Sequence, residues 1–389
     1  MRPQPVILIG LVVIGLFFLP VAANARCVNC VVVMIPVGGS PLGIAFAPSN
    51  SNIYVINIGN FGPNGFSSTV SVISTSTNTV IDTIPLPTGF YPTGIAFASS
   101  NNDIYVAGVL PDRNSSPSSE SDTVYAISTT GNAIVATIQL GSSPNYGRYL
   151  WVTFAPSTNN IYVTNGNTET ISVVSTTTNI LLETFLIELV PKDTSPIEPA
   201  PSYLGGLAFA PSDNDIYVAS GGNKTVFAID TFNNTIVAAP STGWSFTATF
   251  SPSNNDIYVA NLDHSVSVIS TSTNTRIATI QVPTGYEIGG IGFAPSSNEI
   301  YAAGVGNSFP TSPPDGLLST VFVICASTNS LIDSIPLPNG SDPSSVAFAA
   351  SSNEIYVASA NAHTVVAILT VHNHPVPRPC GLGAPSGRP

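Results

Sequence analysis

Apolar residues recur along the chain in short alternating runs, separated by turns of Pro, Ser and Asn. Seven runs end in Phe: GIAFA with Phe46 and Phe97, WVTFA with Phe154, GLAFA with Phe209, TATFS with Phe250, GIGFA with Phe293 and SVAFA with Phe348. Seven others carry Tyr in IYV or IYA, at Tyr54, Tyr105, Tyr162, Tyr217, Tyr258, Tyr301 and Tyr356, each 8 residues after its Phe. Two period-two runs joined by a turn of constant length predict a β-hairpin, strands A and B. A third run follows, TVSVIS at Thr69 and its counterparts at Thr123, Thr170, Thr225, Ser265, Thr320 and Thr364. This is strand C. Its second residue stands 8 before an Asn each time: Asn78, Asn132, Asn179, Asn234, Asn274, Asn329 and Asn373. Asn suits a turn because it tolerates left-handed backbone and bonds its own main chain. A fourth run, strand D, follows six of the seven, from VIDTIPL at Val80 to LIDSIPL at Leu331, weakest in IVAAP at Ile236.

Seven equal units of four short strands predict an all-β chain, a seven-bladed β-propeller of four-stranded antiparallel blades. A β-sandwich is the alternative, but it gives no reason for seven equal units. The seventh unit lacks strand D, because residues 374–379 (HPVPRP) contain three prolines and proline cannot donate to a ladder. Residues 31–37 (VVVMIPV) resemble VIDTIPL. An N-terminal strand is therefore expected to complete the last blade and close the ring.

The hydrophobic fraction of 43% allows a large core in 389 residues, while charged residues make up only 8%. The net charge is −12, and Lys192 and Lys224 are the only lysines. With no basic patch, nucleic acid is excluded as a partner. Arg2 precedes the apolar residues 6–19, followed by Ala23-Asn24-Ala25. This reads as a signal peptide cleaved after Ala25. An uncleaved anchor is the rival, although the run is short of the ~20 apolar residues a span needs. Boundaries follow: signal peptide 1–25, propeller 26–375 and a Pro/Gly-rich tail 376–389. N-x-S/T sequons at Asn114, Asn223, Asn233 and Asn339 fit an exported chain.

Tyr162-Val163-Thr164-Asn165 reads YVTN, with IYVAN and IYVAS elsewhere. Over essentially the whole mature chain the sequence resembles the YVTN-repeat β-propellers, common among archaeal and bacterial surface proteins. The resemblance implies the fold and a surface or adhesion-type role. Similar propellers also occur as lactonases and as scaffolds in redox enzymes, and fold does not fix function.

A–B and C–D connections keep their lengths. B–C connections vary, most in residues 57–68, 108–122 and 304–319, and so do D–A connections, most in 191–203. In an up-and-down blade these two sets lie on opposite faces, so all length variation falls on one face. Variable loops on a rigid scaffold are the usual place for binding; the alternative is a face that merely tolerates insertions. Six residues before each Phe, beside that face, stand Ser40, Tyr91, Arg148, Tyr203, Trp244, Glu287 and Asp342, with Tyr149 and Tyr286 one residue away. Such a rim could stack on sugar rings or grip a peptide, or pack loops against neighbouring blades. The ligand-binding candidates are Tyr91, Arg148, Tyr149, Tyr203, Trp244, Tyr286, Glu287 and Asp342.

Catalytic motifs are thin: neither H-E-x-x-H nor G-x-S-x-G occurs. His264 and His363 are expected to face solvent near the B–C loops, and His372 and His374 to sit in a solvated terminal turn or form a weak metal pair. Glu287 and Asp342 could offer carboxylates to a cation, but a calcium site needs several further oxygens. No catalytic, metal or cofactor residues are assigned. The expected function is a secreted or cell-surface scaffold, a monomeric ring that binds an envelope or extracellular protein or glycan. It would meet membrane only through the N-terminal segment if uncleaved. The alternative is a lactonase-like hydrolase or lyase at the channel mouth. Cys27, Cys30, Cys325 and Cys380 are expected to gather on the constant-turn face of two adjacent blades in an oxidising compartment, with Cys30–Cys380 the favoured bond and Cys27–Cys325 the second.

Overall fold

The computed structural model describes residues 29–63, 65–112, 119–144, 150–166, 168–187, 204–306, 318–370 and Cys380. Among these there are seven four-stranded antiparallel sheets, one two-stranded hairpin and no helix. In blade one, strands A to D are Pro41–Ala47, Asn52–Asn57, Thr69–Ser74 and Thr79–Pro85. Inner strands of successive blades touch all the way round, blade seven against blade one included. In blade seven the outermost strand is Cys30–Pro36, antiparallel to Thr364–Leu369, with Met34 opposite Val366. The N-terminal strand thus closes the ring.

Burial follows the alternation. All seven IYV tyrosine side chains are fully buried, between one blade and the next. Each tyrosine ends in a hydroxyl that must find a partner there. Each donates to the side-chain oxygen of an Asn in the C–D turn of the following blade. The series runs Tyr54 to Asn132, Tyr105 to Asn179, Tyr162 to Asn234, Tyr217 to Asn274, Tyr258 to Asn329, Tyr301 to Asn29 and Tyr356 to Asn78. All seven asparagines have left-handed backbone, with φ between 48° and 56°. Asn is suited twice over: it tolerates that conformation and its amide projects an acceptor. The seventh place belongs to Asn29, not to Asn373 as the C-strand spacing suggests; Asn373 lies outside the described residues. The strand that completes blade seven comes from the chain start, so its turn residue does too.

The A–B turns repeat a second device. The carbonyl of their left-handed residue accepts a hydroxyl from the Thr after strand C: Thr75 to Ser51, Thr129 to Asn102, Thr176 to Asn159, Thr231 to Asn214, Thr271 to Asn255 and Thr370 to Asn353, at 2.6–2.8 Å. Blade six carries Ala326 there. The Cys380 sulfur takes the empty place, 3.0 Å from the Asn298 carbonyl oxygen, and bonds Cys325 with a Cα–Cα distance of 5.3 Å. This corrects the expected Cys30–Cys380 bond and its companion Cys27–Cys325. Counting strands places these cysteines on one face but does not show that blade six alone lacks the Thr. Cys30 begins the closing strand on that face, and Cys27 lies outside the described residues.

Outer strands would offer seven open edges. Each is interrupted by a β-bulge at an equivalent place, where Val32, Ile81, Val135, Leu182, Val237, Ile277 or Ile332 is the extra residue, and blade two has a second at Leu140. A bulge twists the edge away from flat pairing. Six of these seven side chains are consequently about half exposed.

Two outcomes test this account. Tyr258→Phe strands the Asn329 oxygen and takes one of its two partners from the Asn254 amide, and should cost about 1–3 kcal/mol in denaturant unfolding. Deleting residues 26–37 removes Asn29 and the closing strand together. That ring should aggregate or lose its cooperative transition; a shortened chain that melts like the one retaining residues 26–37 would overturn the closure.

Candidate functional site

The two faces differ in what they leave available. On the constant-turn face, the first residue of strand B is a buried acid in five blades: Asp103, Asp215, Asp256, Glu299 and Glu354. Burial pushes Asp215 and Asp256 up to about 6, with the Asp213 and Asp230 charges adding to the rise at Asp215. Burial raises Asp103 as well. Shifted acids can mark a site, but here they surround the tyrosine latch. The Tyr301 hydroxyl oxygen also lies 2.8 Å from a Glu299 carboxyl oxygen, and that of Tyr356 2.7 Å from one of Glu354. Six of the seven tyrosines are themselves shifted upward by burial, Tyr105 and Tyr162 to about 12. This chemistry serves structure.

On the other face the repeat breaks. Blade one inserts a hairpin, Phe61–Gly62 with Gly65–Phe66, between strands B and C. Its rings form a file with a rim residue: Phe61 edge-on to Phe66, and Phe66 edge-on to Tyr91, both at 5.0 Å. Phe61 is 71% exposed at the tip. Blade two lengthens three strands, to Asp103–Asp112, Ser119–Ser128 and Ala133–Pro144. Blade six lengthens Tyr286–Ala294 and Glu299–Gly306.

The rim candidates divide. Trp244 stands 51% exposed, and its carbonyl is fixed by Leu262 N–H. Tyr286 packs edge-on to Phe322 at 5.1 Å, so it is a wall of the blade rather than a free platform. Glu287 stands opposite Val305. Asp342 lines a pocket between blades six and seven, and burial raises its carboxyl. Arg148, Tyr149 and Tyr203 lie outside the described residues, as do Asn114, His372 and His374. Asn233 and Asn339 are exposed and Asn223 half-buried, all in turns or loops.

His264 and His363 do not simply face solvent. His264 Nδ1 meets the Tyr286 carbonyl at 2.6 Å, and Ser40 N–H donates to His363 Nδ1 at 2.8 Å. Both stitch a B–C turn to the next blade. Among the described residues no three His, Cys, Asp or Glu come together as a metal set.

Two features escape a reading of spacing. At the axis, Trp151 of blade three meets Phe246 of blade five edge-on at 5.3 Å. Gly205 of blade four lets Phe246 approach, since a Cβ there would lie 2.1 Å from the Phe246 carbonyl oxygen. The signal was present: Trp151 stands where four other blades have Gly43, Gly94, Gly206 and Gly290. Between blades two and three, a pocket of about 200 Å3 is lined by Asp122, Asn165, Thr168, Thr170, Ser172 and Thr184, among others. Asn57 and Asn261 turn their amides to Ser and Thr of their own strand C. Asn165, their counterpart, donates to Asp122 of the neighbouring blade.

No protein-family model matches the chain, and no curated protein matches it.

The pH dependence follows from Asp215 and Asp256. Their folded pKa of about 6 exceeds the unfolded value of about 3.9. The folded state therefore binds more protons between these values. Their contribution is full below about pH 4 and is lost as pH rises to about 6. Denaturant unfolding between pH 4 and 7 should show stability falling and then levelling, and Asp256→Asn should flatten the slope.

Proposed function

We propose that the protein is a secreted or cell-surface propeller of the YVTN-repeat type, a scaffold that binds an envelope or extracellular partner through its B–C and D–A face. One observation carries this reading: among the described residues the inserted hairpin and the lengthened strands all lie on that face, while the other is committed to the tyrosine latch and the turn hydroxyls. Exposed aromatics stand among the departures, Phe61 in the inserted hairpin and Trp244 on the rim. Aromatic anchors of this kind dominate binding energy at interfaces.

The chain's own topology supports an outward presentation. Its first described residue, Asn29, lies in the constant-turn face, bonded to Leu369 and Tyr301. The apolar residues 6–19 precede it. If that segment anchors the chain, the constant face turns to the membrane and the variable face away. If it is cleaved, the disulfide between Cys325 and Cys380 fits the oxidising compartment to which it leads.

Capture from an envelope extract by the immobilised mature ring tests the proposal. Trp244→Ala and Phe61→Ala should each weaken capture, by at least ~1 kcal/mol where the ring is an anchor, with the melting temperature unchanged. Asn254→Ala lies on the other face, where its amide holds Tyr258 and the Ala326 carbonyl. It should lower the melting temperature and leave capture intact. Loss of capture in Asn254→Ala at a temperature where it stays folded, with the aromatic variants binding normally, would place function on the opposite face.

A further inference from the structure

Three blade interfaces share one backbone contact on the variable face. Ser68 donates to the Phe90 carbonyl at 2.6 Å, His264 meets the Tyr286 carbonyl at 2.6 Å, and Ser319 donates to the Ser341 carbonyl at 2.6 Å. The three carbonyls belong to equivalent residues, each seven before the Phe of strand A. Their side chains differ. Phe90 is fully buried against Tyr125, edge-on at 4.8 Å, and Tyr286 packs on Phe322. At the third interface the residue is Ser341, and strand C offers Val366 instead of a ring. Where two interfaces are filled by a pair of aromatics, the third has neither.

A pocket of about 250 Å3 opens there, lined by Val305, Gly306, Leu318, Ser319, Gly340, Ser341, Asp342 and Asn361. Ser341 is 9% exposed, yet its hydroxyl oxygen is buried and has no hydrogen-bond partner. A buried hydroxyl normally has one. The Asp342 carboxylate and the exposed Asn361 border the same space, while Val305 and Leu318 give it an apolar wall.

We propose that this pocket is a subsite for one neutral pyranose ring, the terminal sugar of a glycan. The inference rests on the variable face being the binding face. Ser341 Oγ can both donate and accept, Asn361 can do both, and Asp342 accepts; vicinal sugar hydroxyls need that mixture. An ammonium ion only donates and would leave the donors of the site unused. One carboxylate is too few for a divalent cation such as calcium, which takes 6–8 oxygens. The apolar wall matches the C–H face of a pyranose. The volume lies just below the ~300–1,000 Å3 of drug-sized pockets and suits one ring rather than several.

The test titrates the full mature chain with methyl glycosides of neutral hexoses and N-acetylhexosamines by ligand-observed NMR, with butylammonium in parallel. At least one glycoside should bind saturably. Ser341→Phe restores the residue found at Phe90 and should abolish that binding. Asp342→Asn should weaken it about tenfold and Asn361→Ala several-fold. If Ser341→Phe does not fold, the other two variants decide. Absence of saturable glycoside binding, glycoside binding unaffected by these variants, or tighter competing binding of butylammonium overturns the proposal. If glycosides fail while Trp244→Ala still weakens capture of the envelope partner, the sugar pocket falls and the binding face stands. If both fail, the wider reading falls with it.

Discussion

One hydrogen bond, repeated seven times, organises this ring: a buried tyrosine hydroxyl on the asparagine amide of the next blade. Each bond is worth only about 1 kcal/mol net, but leaving it unmade costs more, because the tyrosine is fully buried and the asparagine half-buried. The Asn amide has further partners. Asn132 and Asn29 donate to Asp82 and Asp333, and Asn78 to Glu354. Satisfying the whole set requires every blade to stand at one angle and height to its neighbour. Hydrophobic burial supplies the driving force between blades, but it is non-directional. The latch supplies the register.

That constraint explains why one face is uniform. Its turns cannot change length without moving the asparagine, the left-handed residue of the A–B turn or the Thr hydroxyl bonded to it. Where one part is missing, something else occupies its place, as the Cys380 sulfur does beside Ala326. Among the described residues, the opposite face carries no side-chain network repeated in all seven blades. Contacts between its B–C and D–A connections differ from blade to blade, as Ser68 to Phe90 and Ser40 to His363 do. Hairpins, lengthened strands and exposed rings accumulate where geometry leaves them free.

The repeat also serves as an internal control. Because seven blades solve one packing problem, a departure in one blade can be compared with six solutions of it. Asp122 drawing Asn165 across an interface, Trp151 where four blades have Gly, and Ser341 where two blades have Phe90 and Tyr286 are found in this way. None is unusual in isolation. Perturbed acidity leads in the other direction, since the acids driven to about 6 belong to the latch.

The sequence by itself determined the strands, their number, the seven-blade ring, its closure by the first strand and the face on which variation falls. These are properties of local periodicity, and alternation and turn length are written in consecutive residues. Pairing between blades was decided only in three dimensions. Strict spacing points to Asn373, but the latch takes Asn29, because the strand it caps comes from the other end of the chain. Strand counting brings the cysteines to one face, but the bond goes from Cys380 to Cys325, where blade six has a gap. The rim aromatics read alike in sequence, yet Tyr286 is a packed wall and Trp244 an exposed ring. Such differences depend on which side chain the neighbouring blade supplies, dozens of residues away, and no pattern along one strand records it.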